Sequence, residues 1–134
     1  GGDLLIGALG KVTTGAITGT GADLLRLSLQ QAGIDTVGTF SLYWDGSDVG
    51  LSKSSEKITA VWADPVVGSL YLSTNGNFAV AGLAGLRGDI FVCEPGTTGG
   101  NTSCNFPSEV YWSAAGAGIG SIPLDGLSLI RAAD

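Results

Sequence analysis

The chain has 134 residues, 23 of them glycine, with 12 acidic against 6 basic side chains and 44% hydrophobic residues. That apolar share excludes a charge-rich disordered chain, and the net charge of −6 excludes a cationic surface for nucleic acid. No apolar run reaches the roughly 18 residues of a membrane-spanning helix, so membrane insertion is not expected.

Short apolar segments bounded by Gly, Asx or Ser follow one another along the chain: 4–9, 12–18, 24–29, 37–44, 58–62, 69–73, 77–80, 90–93, 110–112 and 127–130. Strand-sized runs with turn signals every 8–12 residues predict an all-β sandwich or closed barrel of about ten strands, with a small β-propeller as the alternative. Residues 22–31 contain enough leucine for a helix. Leu25, Leu27 and Leu29 nevertheless alternate with Arg26, Ser28 and Gln30, a period of two that favours a half-buried strand. Thr74-Asn-Gly-Asn77 reads as a tight hairpin turn, because Asn-Gly tolerates positive φ.

Cys93 and Cys104 are separated by a spacer rich in Gly, Thr and Asn, which can fold back and bring the sulfurs together. A disulfide there closes a short loop, worth on the order of 2–3 kcal/mol in the chain-entropy picture. Two reduced thiols are the alternative; zinc would need further cysteines or histidines, and the chain has neither. Asn101-Thr102-Ser103 in the same loop is a glycosylation-type triplet. Disulfide and sequon together lean toward an oxidising, extracellular or cell-surface setting. The chain begins at Gly1 and has no methionine, so it reads as a processed product or a piece of something longer.

An internal repeat runs through the sequence. At an offset of 66, Gly2, Leu4, Gly10, Gly19 and Asp23 fall on Gly68, Leu70, Gly76, Gly85 and Asp89. Past the cysteine loop an offset of 68 places Tyr43-Trp44 on Tyr111-Trp112 and Val61-Trp62 on Leu129-Ile130. The two offsets together span all 134 residues. Residues 1–134 therefore read as a single all-β domain of two pseudo-twofold, circularly permuted repeats, cut in mid-repeat. In this alignment Leu27 and Thr36 stand opposite Cys93 and Cys104, and the crosslinked copy has the longer loop.

Phe40-Ser-Leu-Tyr-Trp-Asp-Gly-Ser-Asp-Val-Gly-Leu51, Gly68-Ser-Leu-Tyr-Leu-Ser-Thr-Asn-Gly-Asn-Phe-Ala-Val80 and Gly88-Asp-Ile-Phe-Val-Cys-Glu-Pro95 carry a resemblance. They are similar to a repeat of predicted secreted or surface proteins of bacteria, some copies of which also have a Cys…Cys pair. The likeness implies β structure and a surface location. It implies no chemistry, since no activity is assigned to that family. The second copy departs from the pattern, with Ser113-Ala-Ala-Gly116 where the first has Asp45-Gly-Ser-Asp48.

Candidate sites are few. Asp45-Gly-Ser-Asp48 is the one local cluster of oxygen donors; it reads as a self-capping turn, with a calcium site as the alternative. Asp23, Asp35, Asp64, Asp89 and Asp125 all sit in turn-like contexts, so no carboxylate pair for glycoside cleavage is singled out. The chain has no histidine, and neither enzymatic activity nor a cofactor is expected. Trp44, Trp62, Trp112, Tyr43, Tyr71 and Tyr111 offer ring faces for sugar stacking, with core packing as the simpler role. The ends are apolar and strand-like: Leu4, Leu5 and Ile6 at one, Leu127, Leu129 and Ile130 at the other. The leading expectation is an extracellular structural module whose partner is itself or a neighbouring repeat, joined by strand pairing at these ends; a glycan-binding domain is the second.

Overall fold

The computed structural model describes residues 2–130. The fold is all-β, consistent with a sandwich, and no closed barrel is found among those residues. The first half supplies β1 (Asp3–Ile6), β2 (Val12–Thr14), β3 (Ile17–Gly19), β4 (Leu24–Gln31) and β5 (Val37–Trp44). Two short 3-10 helices, Gly46–Val49 and Ser54–Glu56, lead to β6 (Ile58–Ala63) and β7 (Leu70–Thr74). Then come β8 (Phe78–Val80), β9 (Leu83–Gly85), β10 (Phe91–Thr97) and β11 (Ser103–Asn105). One sheet has the order β1-β4-β5 and the other β11-β10-β7-β6, with β2-β3 and β8-β9 as separate hairpins. Leu24 and Trp44 of the first sheet and Leu70, Leu72 and Phe91 of the second meet in one core, fully removed from solvent.

Strand pairs 66 residues apart share their registers. Leu4↔Leu27 and Ile6↔Leu25 recur as Leu70↔Cys93 and Leu72↔Phe91. The hairpin pairs Val12↔Gly19 and Thr13↔Thr18 recur as Phe78↔Gly85 and Ala79↔Ala84. Even the irregularity at the far end of the long hairpin is repeated: Leu29↔Gly38 and Gln31↔Val37 correspond to Pro95↔Cys104 and Thr97↔Ser103. One buried aspartate organises each unit. Asp23 accepts the Thr20 and Gly46 N–H groups, and Asp89 accepts those of Leu86 and Ala114, all at 2.7–3.1 Å.

These registers revise several expectations. The counterpart of Cys104 is Gly38 rather than Thr36, and the loops 32–36 and 98–102 have equal length. The two extra residues of the second copy fall after Asn105, where Pro107 cannot donate to a ladder. Residues 110–112 accordingly form no strand and keep one isolated bridge, Ile90↔Trp112, in the place of Leu24↔Trp44. The segment 12–18 is not one strand but the hairpin β2-β3, turning at Gly15 with φ +59°. Thr74–Asn77 joins no hairpin: β7 pairs with β6 and β10, while β8 pairs with β9. There Asn75 is held by Lys57 and Ser54, and a Cβ on Gly76 would lie 2.8 Å from that of Ser55. Residues 127–130 adopt no strand either.

Candidate functional site

The edge of the first sheet is where the two units differ most. In the second sheet β6 lies outside β7, with Ile58↔Thr74, Ala60↔Ser73, Val61↔Leu72, Trp62↔Tyr71 and Ala63↔Leu70 in antiparallel register. In the first, β1 is the outermost strand and pairs with β4 alone among the described residues. Leu4 is 48% exposed, and Leu5 and Ile6 are half-buried. The segment equivalent to β6 is the C-terminal stretch from Gly126. Leu127 and Leu129 there are half-buried, alternating with exposed Ser128 and with Ile130, which is 94% exposed. That alternation is a strand's, without a ladder. Leu127 sits beside Gly7 and Ile58, so the tail passes close to the end of β1.

A second set of contacts joins the units around the disulfide. Cys93 and Cys104 are bonded to each other, and a structural disulfide indicates folding in an oxidising, non-cytoplasmic compartment. Their loop docks on the turn of the first unit. Asp48 accepts the Thr102 N–H at 2.8 Å, the Asp45 N–H donates to Thr102 Oγ1 at 2.9 Å, and the Gly99 N–H donates to the Tyr43 carbonyl at 2.7 Å. The Trp44 indole donates to Cys104 Sγ at 3.2 Å. Asp45 also accepts from the backbone and hydroxyl of Ser47, capping its own 3-10 helix. Both carboxylates thus face N–H donors. Asn101 lies exposed at the tip of this loop.

These contacts run one way. A twofold relation between the units would also bring loop 33–36 onto the turn 113–118. Loop 33–36 has the conformation of loop 99–102: Thr36 and Thr102 donate to Gly33 O and Gly99 O, and both glycines have positive φ. Yet Ile34 at its tip is fully exposed, and nothing lies within 4 Å of a Cβ placed on Gly33 or Gly118. Contacts that the first unit makes to the second are left open at both ends of the pair.

Glu56 is buried, and its carboxylate accepts the N–H groups of Ser52, Lys53 and Ala79, the last from the second unit. The sequence did not single Glu56 out: Lys53 stands where a capping box has Ser or Thr. At the open edge, Arg26 of β4 binds Asp3 of β1 through Nε at 2.8 Å and through Nη2. That hydrogen bond, helped by the guanidinium's charge, holds the Asp3 carboxyl below its ordinary value of 3.8.

Among the aromatic residues, Trp44 belongs to the core. Trp62, Tyr71 and Tyr111 form a surface cluster with ring centroids 5.5 and 4.9 Å apart, tilted by 59° and 82°. Beside β1 lies an apolar cavity of about 130 Å³, lined by residues that include Ile6, Val12, Leu25 and Phe40. Comparison with protein-family models, curated proteins and solved structures finds no match.

Proposed function

We propose that this chain is an extracellular structural module that associates with further copies through its strand edges. The observation that carries the reading is the bare outer edge of β1, set against the covered edge of β7. An unpaired strand with apolar side chains is a template for another strand, and completing a sheet with a foreign strand is a recurrent mode of protein association. Head-to-tail contacts of this kind are heterologous and build open chains unless they close into a ring. The disulfide, low charge and abundant glycine suit a durable extracellular assembly.

Electron microscopy and sedimentation of the purified protein test this, with Leu129→Pro as the comparison. Proline removes a ladder donor from the tail and disturbs no strand of the body. Concentration-dependent oligomers that Leu129→Pro abolishes are the expected result; a wild-type protein that stays monomeric at millimolar concentration defeats the reading. A glycan-binding role is the second reading, favoured by the surface trio Trp62, Tyr71 and Tyr111. The ring faces are partly turned on one another, which leaves less flat surface for a sugar. Saturable binding on a glycan array, lost in Tyr111→Ala, would put this reading first.

A further inference from the structure

We infer that the partner of this module is a second copy of the same chain, seated so that its tail takes on β1 the place β6 takes on β7, while its turn 113–118 receives loop 33–36. The inference rests on the self-association proposed above and adds the address, the register and a second contact.

The address follows from the repeat. Moving β6 forward by 68 and β7 back by 66 converts the observed ladder into an intermolecular one: Val61↔Leu72 becomes Leu129↔Ile6, Trp62↔Tyr71 becomes Ile130↔Leu5, and Ala60↔Ser73 becomes Ser128↔Gly7. The side chains suit those positions. Val61 and Trp62, half-buried on opposite faces of β6, are matched by Leu129 and Ile130, and the edge they meet is apolar in both units. A one-residue slip would turn Leu129 and Ile130 to the opposite faces, so the register is specified rather than loose.

The second contact decides between a copy and the chain's own tail. At the junction within the chain, β6 on β7 and the turn 45–48 on loop 99–102 form together. A tail closing on its own β1 as a twofold mate would bring loop 33–36 of the same molecule onto its own turn 113–118. Instead Ile34 is fully exposed, and nothing lies within 4 Å of a Cβ placed on Gly33 or on Gly118. A second copy satisfies both at once. The Trp44 bond to Cys104 Sγ has no counterpart, because Gly38 stands in the place of Cys104. Of the three hydrogen bonds between turn and loop, two carry over, as Ser113 N–H to Thr36 Oγ1 and Gly33 N–H to the Tyr111 carbonyl. The third does not, because Gly116 stands where Asp48 accepts the Thr102 N–H. Leu124 likewise replaces Glu56, so that carboxylate's bond to Ala79 has no counterpart. The contact between copies is therefore a weaker version of the contact within the chain.

That difference supplies a gain-of-function test. Gly116→Asp restores the missing acceptor at a position of negative φ, where a Cβ makes ordinary contacts of 3.4 Å with Ser113. A restored charge-assisted hydrogen bond is expected to tighten association about fivefold or more in sedimentation. Register is read in parallel by oxidising Leu5→Cys/Ile130→Cys, with the slipped pair Leu4→Cys/Ile130→Cys as control; the native cysteines are already bonded to each other. A covalent ladder of oligomers from the first pair, and little from the second, is the expected result. If wild type associates but the two pairs crosslink equally or not at all, the register is wrong while self-association stands. A covalent monomer from the first pair assigns the tail to its own β1 and overturns the second copy as partner. A protein that never associates removes both readings, and a Gly116→Asp protein with unchanged affinity overturns the loop contact.

Discussion

At the scale of single residues the two units solve the same packing problems with different atoms. Gly46 packs so closely on Ala22 that a Cβ would lie 2.1 Å from the Ala22 carbonyl oxygen, whereas the second unit has Ala114 facing Gly88. The small residue has changed sides, and Gly88 takes the positive φ of 86° that Ala22 does not. The disulfide has a similar counterpart: Leu27 fills the space over Gly38, 2.6 Å from where a Cβ would stand, as Cys93 bonds Cys104 in the second unit. The cavity has a counterpart as well. In the second unit Phe78 stacks on Phe91 with centroids 4.0 Å apart, and Val12 and Leu25 at the equivalent places leave the void of about 130 Å³. Val12→Phe should fill it without new strain. Cavity-filling changes commonly add about 0.5–2 kcal/mol, so an increase in denaturation midpoint within that range is expected, measured by urea titration. A lower midpoint would show that the void cannot accept a ring.

At the scale of elements, most strands were legible from sequence because they alternate in a period of two and end at Gly or Asx. Ala22–Gln31 shows this well: its leucine content suits a helix, but the alternation places it on a sheet edge-to-edge with β1 and β5. What was not legible depends on contacts distant in sequence. Asn75-Gly76 has the composition of a hairpin turn, yet its polar groups are taken by Ser54 and Lys57. Asp45 was legible as a self-capping turn, but the role of Asp48 was not, because its N–H donor Thr102 lies 54 residues further on. Buried Glu56 had no signal in the sequence, since one of its donors, Ala79, comes from the second unit. The open edge was visible as a sequence feature in Leu4, Leu5 and Ile6, but the absence of a tail strand on it among the described residues was not. β1 is also held by an ion pair, and this makes it acid-sensitive. Arg26 keeps the Asp3 carboxyl below 3.8 in the folded chain, so the stabilisation is present above that value and is lost as pH falls through the lower, folded one. Acidification from pH 5 to 2 should therefore loosen β1, and Asp3→Asn should remove that part of the pH dependence; amide exchange of Leu5 and Ile6 against pH reads both.

At the scale of the molecule the stability is unevenly spread. The second unit is covered by β6, by the turn that docks on its loop and by its disulfide, and Leu70, Leu72, Phe91 and Cys93 are wholly buried. The first has a bare edge, a cavity and half-exposed leucines on β1. In a one-dimensional array each repeat depends on its own packing plus the interface to a neighbour, and here the first unit lacks the interface that the second has. Local opening should follow that difference. Native-state hydrogen exchange is expected to find amides of β1 and the facing side of β4 opening at lower free energy than those of β7 and β10. Raising the protein concentration should slow exchange in β1 selectively, because a partner strand would protect its outward amides while leaving β7 already covered. Equal protection of the two strands at low concentration, or a change on association that spares β1, would mean that the open edge is neither the weak point of this fold nor its place of contact.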